Sequence, residues 1–240
     1  MIHYHGGPIT PETCAVRAWT GRHAFCTYSH HLRHAPQIQT ASLVTQSFAI
    51  DNGAFSAWRK GKPIQNWDPF YEWADGWIRH PGCDWVVIPD VIGGTEADND
   101  ALVNEWPHGH RGVPVWHLNE SIDRLVALAS TWPRVALGST AEYDVASPRK
   151  CLTRLYDVLP HISDDADRPI TKLHGLRMMR SELVTKIPLS SADSTNLARN
   201  IGIDKRWKGT YRPATKEARV MVLVDRIEAH NSPDRPILDS

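Results

Sequence analysis

Residues 84–90 read DWVVIPD, an almost unbroken run of large apolar side chains closed by Pro and Asp. A strand with one face in water alternates apolar and polar residues. This one does not, so it predicts a strand covered on both faces, as in a parallel sheet flanked by helices. The pattern recurs outward in both directions. SFAID (47–51) and a first candidate from Ile2 to His5 precede it; VPVWHL (113–118), RVALGS (134–139), TKLHGL (171–176) and PLSSAD (188–193) follow. Helix-like stretches lie between them: DPFYEWADGWIR (68–79), EADNDALVNEW (96–106), SIDRLVALASTW (121–132) and SPRKCLTRLYDVL (147–159). Ser121 and Ser147 suit helix N-caps, and Pro148 a first helical position. Seven strands alternating with helices over about 200 residues predict an α/β fold, a single (β/α)8-type TIM barrel filling residues 1–240. A doubly wound open sheet is the competing arrangement, but no G-x-G-x-x-G follows an early strand. The segment GRHAFCTYSHHLRH (21–34) reads as a loop or helix, residues 204–219 as an irregular basic insertion, and the last ten residues as a loose tail.

The composition is that of an ordinary globular chain, 41% hydrophobic and 22% charged, which excludes a disordered, collagenous or coiled-coil protein. No apolar run approaches the roughly 18 residues needed to span a bilayer. The start, MIHYHGGPIT, lacks the basic flank and apolar core of a secretory signal. The four cysteines (Cys14, Cys26, Cys83, Cys151) form no C-x-x-C pair and read as free thiols, so a cytoplasmic location without a membrane partner is expected. Net charge is zero but unevenly spread. Residues 67–106 carry nine acids and one base, whereas residues 194–226 carry eight bases and three acids, a local setting for a phosphate backbone.

In barrel enzymes the chemistry sits where strands end at the C-terminal face. Here those ends carry His3, His5, Asp51, Asp90, His117, Gly138 with Ser139, His174 and Asp193. Each aspartate has small neighbours (DNGA, PDVIGG, SADST), which let a flat ligand approach the backbone. Converging carboxylates suit chemistry at a sugar carbon, one as nucleophile at the anomeric centre and another handling the leaving-group proton.

The same segments carry a family resemblance. FAIDNGAF (48–55) resembles the D-S-G-G-F/Y segment of the tRNA-guanine transglycosylases, and PDVIGG (89–94) falls where that family has a second aspartate after a strand. VALGS (135–139) resembles its I/V-G-G segment, KLHGLR (172–177) its Y-L-x-G-V-G segment and SSADSTN (190–196) the strand ending in its nucleophilic aspartate. All five occur in the family's order. The family's C-x-C-x-x-C…H zinc site is absent and the chain is short, so it looks most like compact, phage-type DNA-guanine transglycosylases, without the zinc subdomain. The resemblance implies exchange of guanine in DNA for a 7-deazaguanine base, preQ0-like, in the host cytoplasm in the case of a phage gene. It implies neither cofactor nor metal. Asp193 would attack C1′ and hold the sugar covalently, and Asp51 would act as general acid and base. Asp90 would read the Watson–Crick edge, with His117, Gly138 and Ser139 as further base contacts, and Phe55 and His174 would sandwich the base. Arg199, Lys205, Arg206, Lys208 and Arg212 would hold flanking phosphates of the DNA. The same mechanism on tRNA is one alternative. A metal-dependent amidohydrolase-type site from His3, His5, His117, His174 and Asp193 is a second, and a non-catalytic nucleic-acid-binding module a third.

Overall fold

Every strand of the sheet is parallel to its neighbours, and the sheet curls back on itself. The computed structural model describes residues 1–28, 37–203 and 207–238. The first strand, β1 (Ile2–Gly6), lies between β2 (His23–Thr27) and the last strand, β9 (Ser191–Ser194). From β2 the order runs through β3 (Ser47–Asp51) and β4 (Cys83–Val87) to β5 (Gly112–Val113). From β9 it runs back through β8 (Lys172–Gly175) and β7 (Arg134–Gly138) to β6 (Val115–His117). β5 and β6 are halves of one stave joined at Pro114, so nine short segments make eight staves and a nearly closed α/β barrel of the TIM class.

The joint has a physical cause. Ile88 N–H donates to the Val113 carbonyl at 3.0 Å, and Ala136 N–H to that of Pro114 at 2.9 Å. The stave thus faces β4 with its odd residues and β7 with its even ones. Past Val113 the ladder to β4 stops: the Ile88 carbonyl, which a continued ladder would offer to Val115 N–H, accepts from Asn52 Nδ2 at 2.8 Å instead. Two of the groups that β6 turns toward β4 are satisfied by side chains. Arg124 donates to the Val115 carbonyl at 2.9 Å, and His117 N–H donates to Glu120 Oε2 at 2.9 Å. Buried backbone groups need such partners.

Alternation along the strands makes two apolar layers. Tyr4, Phe25, Ala49, Trp85, Val87, Val113, Val115 and Ala136 fill the barrel interior. Their sequence neighbours Phe48, Ile50 and Val86 pack outward on the helices. These are α1 (Glu12–Trp19), α2 (Ile38–Val44), α3 (Ala54–Arg59), α4 (Asp68–Ile78) and α5 (Glu96–Glu105), then α6 (Ile122–Thr131), α7 (Pro148–Val158), α8 (Ser181–Val184), α9 (Asn196–Asn200) and α10 (Lys216–Glu228). Ser121 caps α6 by accepting from Arg124 N–H at 3.2 Å, as its sequence position predicts. Ser147 stands at the start of α7 without a cap bond, and Pro148 opens that helix.

Three expectations are corrected. Residues 23–27, expected in a loop or helix, form β2, the stave missing from the sequence count. The expected basic insertion at 204–219 is helical from Lys216: Val220, Leu223 and Val224 of α10 join the cluster that holds Cys14, Ala15 and Ala18 of α1. The tail, expected to be loose, is docked. Tyr156 Oη donates to the Ile237 carbonyl at 2.7 Å, and Ile237 N–H to that of Lys186 at 2.9 Å.

Candidate active site

The C-terminal ends of the strands surround a cavity of about 330 Å³. Asp51, Asn52 and Phe55 enter it from the turn after β3, Asp90 from the turn after β4 and His117 from the end of β6. Gly138 and Ser139 come from the end of β7, Leu176 and Arg177 from the turn after β8, and Asp193 from β9. Of the expected catalytic and base-binding residues, His174 alone does not line it.

The turn after β3 is built by its sequence DNGA. Asn52 Oδ1 accepts from Ala54 N–H at 2.8 Å and starts α3. Gly53 sits at φ 80°, and a Cβ there would lie 2.3 Å from the Tyr28 carbonyl oxygen, so only glycine lets the chain pass. This turn leaves Asp51 inside the cavity. Burial and the charge of Asp193 push the Asp51 carboxyl up to about 6, against the opposing pull of Gly53 N–H, Arg177 and Thr27. Asp193 is buried, and its Oδ1 accepts from the backbone N–H of Arg177 at 2.7 Å. Two carboxylates thus share one cavity in different settings, one disposed to carry a proton near neutrality and one held by a backbone donor.

On the opposite side of the floor a buried polar chain fills the gap beside β6. Asn52 Nδ2 donates to Asp90 Oδ1 at 2.8 Å, and His117 Nε2 lies 3.0 Å from Asp90 Oδ2. His117 Nδ1 lies 3.2 Å from Glu120 Oε1, and Arg124 bridges Glu120 Oε2 at 2.6 Å to Asp100 at 2.8 Å. Burial alone would lower the basicity of His117, but its hydrogen bonds to Asp90 and Glu120 override that and raise it to about 9. His117 is therefore an imidazolium that donates from both nitrogens. It faces one Asp90 oxygen while Asn52 faces the other, and each carboxylate oxygen retains a lone pair for a ligand donor.

Phe55 has its ring face covered by Arg177, whose guanidinium carbon stands 3.4 Å from the ring centroid. Arg177 has φ 60° and bends over the mouth from the β8 turn. Burial lowers its basicity, the charges of Asp51 and Asp193 raise it, and repulsion from Arg199 and Arg59 lowers it again.

His174 is corrected as a sandwich partner. It is wholly buried beneath the cavity, 4.6 Å from the Trp85 ring, with Nδ1 2.9 Å from Ser191 Oγ and Nε2 3.5 Å from Asp193 Oδ1. Burial lowers its basicity and leaves it a neutral group under Asp193. The metal-site alternative fails on strand alternation. Tyr4 points into the barrel, so His3 and His5 point out of it: His3 Nε2 meets the His230 carbonyl and His5 Nε2 meets Glu228 Oε1, both at 2.8 Å. Among the described residues no group of His, Cys, Asp or Glu could hold a metal ion.

Among the basic residues, Arg199, Lys208 and Arg212 are exposed. Lys205 and Arg206 lie outside the described residues. Sequence reasoning missed Asn52, Glu120, Arg124 and Arg177. Asn52 stands inside the DNGA motif and Glu120 follows His117 by three residues, which was the available signal. Nothing in the sequence pairs Arg177 with Phe55.

No family model matches the chain, and none of the curated proteins compared with it matches its sequence. Among solved structures it is similar to a tryptophan synthase from M. tuberculosis, in an open form with BRD0059 bound. The identity is 13%, the match covers 95% of this chain and 91% of that one, and the TM-score is 0.45. Among the described residues no helix is long and apolar enough to cross a membrane.

Proposed function

We propose that this barrel is a base-exchanging transglycosylase that replaces guanine in DNA by a 7-deazaguanine base through a covalent sugar intermediate. The observation that carries the reading is the pair Asp51 and Asp193 on one cavity, with Asp51 raised to about 6 partly by the charge of Asp193. In the first half-reaction the Asp193 carboxylate forms a bond to C1′ as the glycosidic bond breaks. The bonding pair leaves with guanine, whose ring nitrogen takes the proton of Asp51. In the second half the incoming base gives its N–H proton to Asp51 and displaces Asp193 from C1′. Separate roles for two carboxylates on one cavity follow general glycosyl-transfer logic. Asp90, held between Asn52 and His117, suits the N–H edge of a 2-amino-6-oxo heterocycle. The target nucleotide has to leave a stack to reach this floor, which favours single-stranded or flipped substrate.

The test is nucleoside mass spectrometry. The protein is incubated with preQ0 and, in separate reactions, guanine-containing DNA or tRNA. A 7-deazaguanine deoxynucleoside that appears with the native protein and not with Asp193→Ala is the expected result. Product in tRNA alone would keep the mechanism and change the substrate. No product in either would sink the reading.

A further inference from the structure

The rim of the cavity at α3 has a composition that the reaction itself does not require. From Phe55 to Asn66 the chain reads FSAWRKGKPIQN, with three cations and no acid, in a protein of zero net charge. Arg59, Lys60 and Lys62 are exposed, and none makes an ion pair among the described residues. The turn that carries them is fixed. Gly61, at φ 69°, donates to the Trp58 carbonyl at 2.8 Å, and Lys62 N–H to that of Ala57 at 3.1 Å, a Schellman ending for α3. Trp58 is 48% exposed, although its ring touches that of Phe55 at 5.7 Å between centroids. Beside it lies a second hollow of about 280 Å³, walled by Trp58, Pro63, Ile64 and Leu102, which shares Asp90 and Ile92 with the main cavity. Asp98, at its edge, is already engaged in the cap of α5.

We propose that α3 and its closing turn are the strand-binding edge of the site: Arg59 and Lys62 hold the phosphates of a single-stranded stretch, and Trp58 stacks the base next to the one in the cavity. This rests on the base-exchange reading. The occupant follows from complementarity. Unpaired cations on a rigid turn fit phosphates, a half-exposed indole fits the face of any nucleobase, and an apolar hollow beside the first fits one flat heterocycle. Lys60 lines the main cavity itself, so the row of cations leads from the rim to the reacting nucleotide.

The experiment is anisotropy binding of a short fluorescein-labelled single strand containing one guanine, across a salt series. Native protein, Arg59→Ala/Lys62→Ala, Trp58→Ala and Trp58→Phe are compared, with preQ0 binding measured on each. Loss of two phosphate contacts at about 0.7 each lowers the slope of log Kd against log salt by about 1.4. Trp58→Ala weakens binding about tenfold and Trp58→Phe by no more than about threefold. Binding of preQ0 by Arg59→Ala/Lys62→Ala stays within twofold. Unchanged strand binding and slope in the variants would overturn the proposal, as would a native protein that retains no strand, or Trp58→Phe falling as far as Trp58→Ala. Variants that lose the strand while the native protein makes no exchanged product would leave this edge standing and remove base exchange. Asp193-dependent exchange on free guanosine by a protein that holds no strand would do the reverse.

Discussion

Asp51 shows how one side chain is fitted to a task at a cost in stability. Its folded carboxyl titrates near 6 because it is buried beside another carboxylate, whereas in the unfolded chain it titrates near its ordinary 3.8. Between those values the folded state holds more protons, so its contribution to stability falls as pH rises from about 4 to 6 and stays low above. Asp51→Asn is therefore expected to lose exchange activity and yet to be more stable at pH 7, by on the order of 3 kcal/mol. Denaturant midpoints at pH 4, 5, 6 and 7 check this: the gain should shrink toward pH 4, and an equal gain at every pH would refute the linkage. For Asp193→Ala no covalent protein–DNA adduct should form under conditions that trap one with the native protein, read by denaturing gel or intact mass. Residue-level chemistry was legible where it sat in a motif: DNGA, PDVIGG and SSAD supplied all three cavity aspartates. His174 was misread because a strand end says nothing of depth. Its side chain belongs to the packed layer with Trp85, Phe25 and Tyr4 one level below the floor.

At the scale of the element, the turn joining β3 to α3 does several things at once. Asn52 accepts from the first amide of α3 and clamps Asp90, Gly53 passes the Tyr28 carbonyl, and Phe55 and Trp58 follow on the helix. Gly53→Ala forces both a positive φ and a backbone clash. It is expected to cost several kcal/mol, at the high end of single substitutions, and to abolish base binding even where folding is rescued by low temperature. Calorimetry with preQ0 titration measures both. SFAID appears as a strand with the bounds its pattern predicts and RVALGS as one a residue shorter, because a doubly covered strand is rich in apolar side chains. HAFCT did not read as a strand, since its ends are polar and histidines crowd the segment around it. α10 was hidden by its charged first turn. What places it is tertiary: His5 at 2.8 Å and Arg22 at 3.1 Å grip Glu228, and, against the opposing effect of burial, hold that carboxyl at about 2.

Over the whole molecule, charges are layered, with carboxylates on the cavity floor and cations around the mouth, so a chain of zero net charge can still receive a polyanion at one place. His117 ties that layering to the closure of the barrel. Its folded pKa of about 9 lies above the ordinary 6.5, so its contribution to stability is complete below about 6.5 and is lost as pH rises through about 9. Stability profiles of native protein and His117→Gln from pH 6 to 10 should converge at the alkaline end, the native protein losing on the order of 3 kcal/mol that the variant never had. Parallel profiles would mean that the imidazole is neutral throughout. The joint at Pro114 has a further consequence, in the time domain. Elsewhere neighbouring staves are zipped by ladders that break only together, whereas past Val113 β6 satisfies its backbone locally through Glu120 and Arg124 and reaches the end of β4 through the His117–Asp90 contact. Separate links can let go one at a time, so this line should breathe first. In deuterium exchange the amide of His117 should label well before those of Tyr4 and Ala49, and faster still once His117 has lost its proton, which would make this seam the place where the barrel opens first.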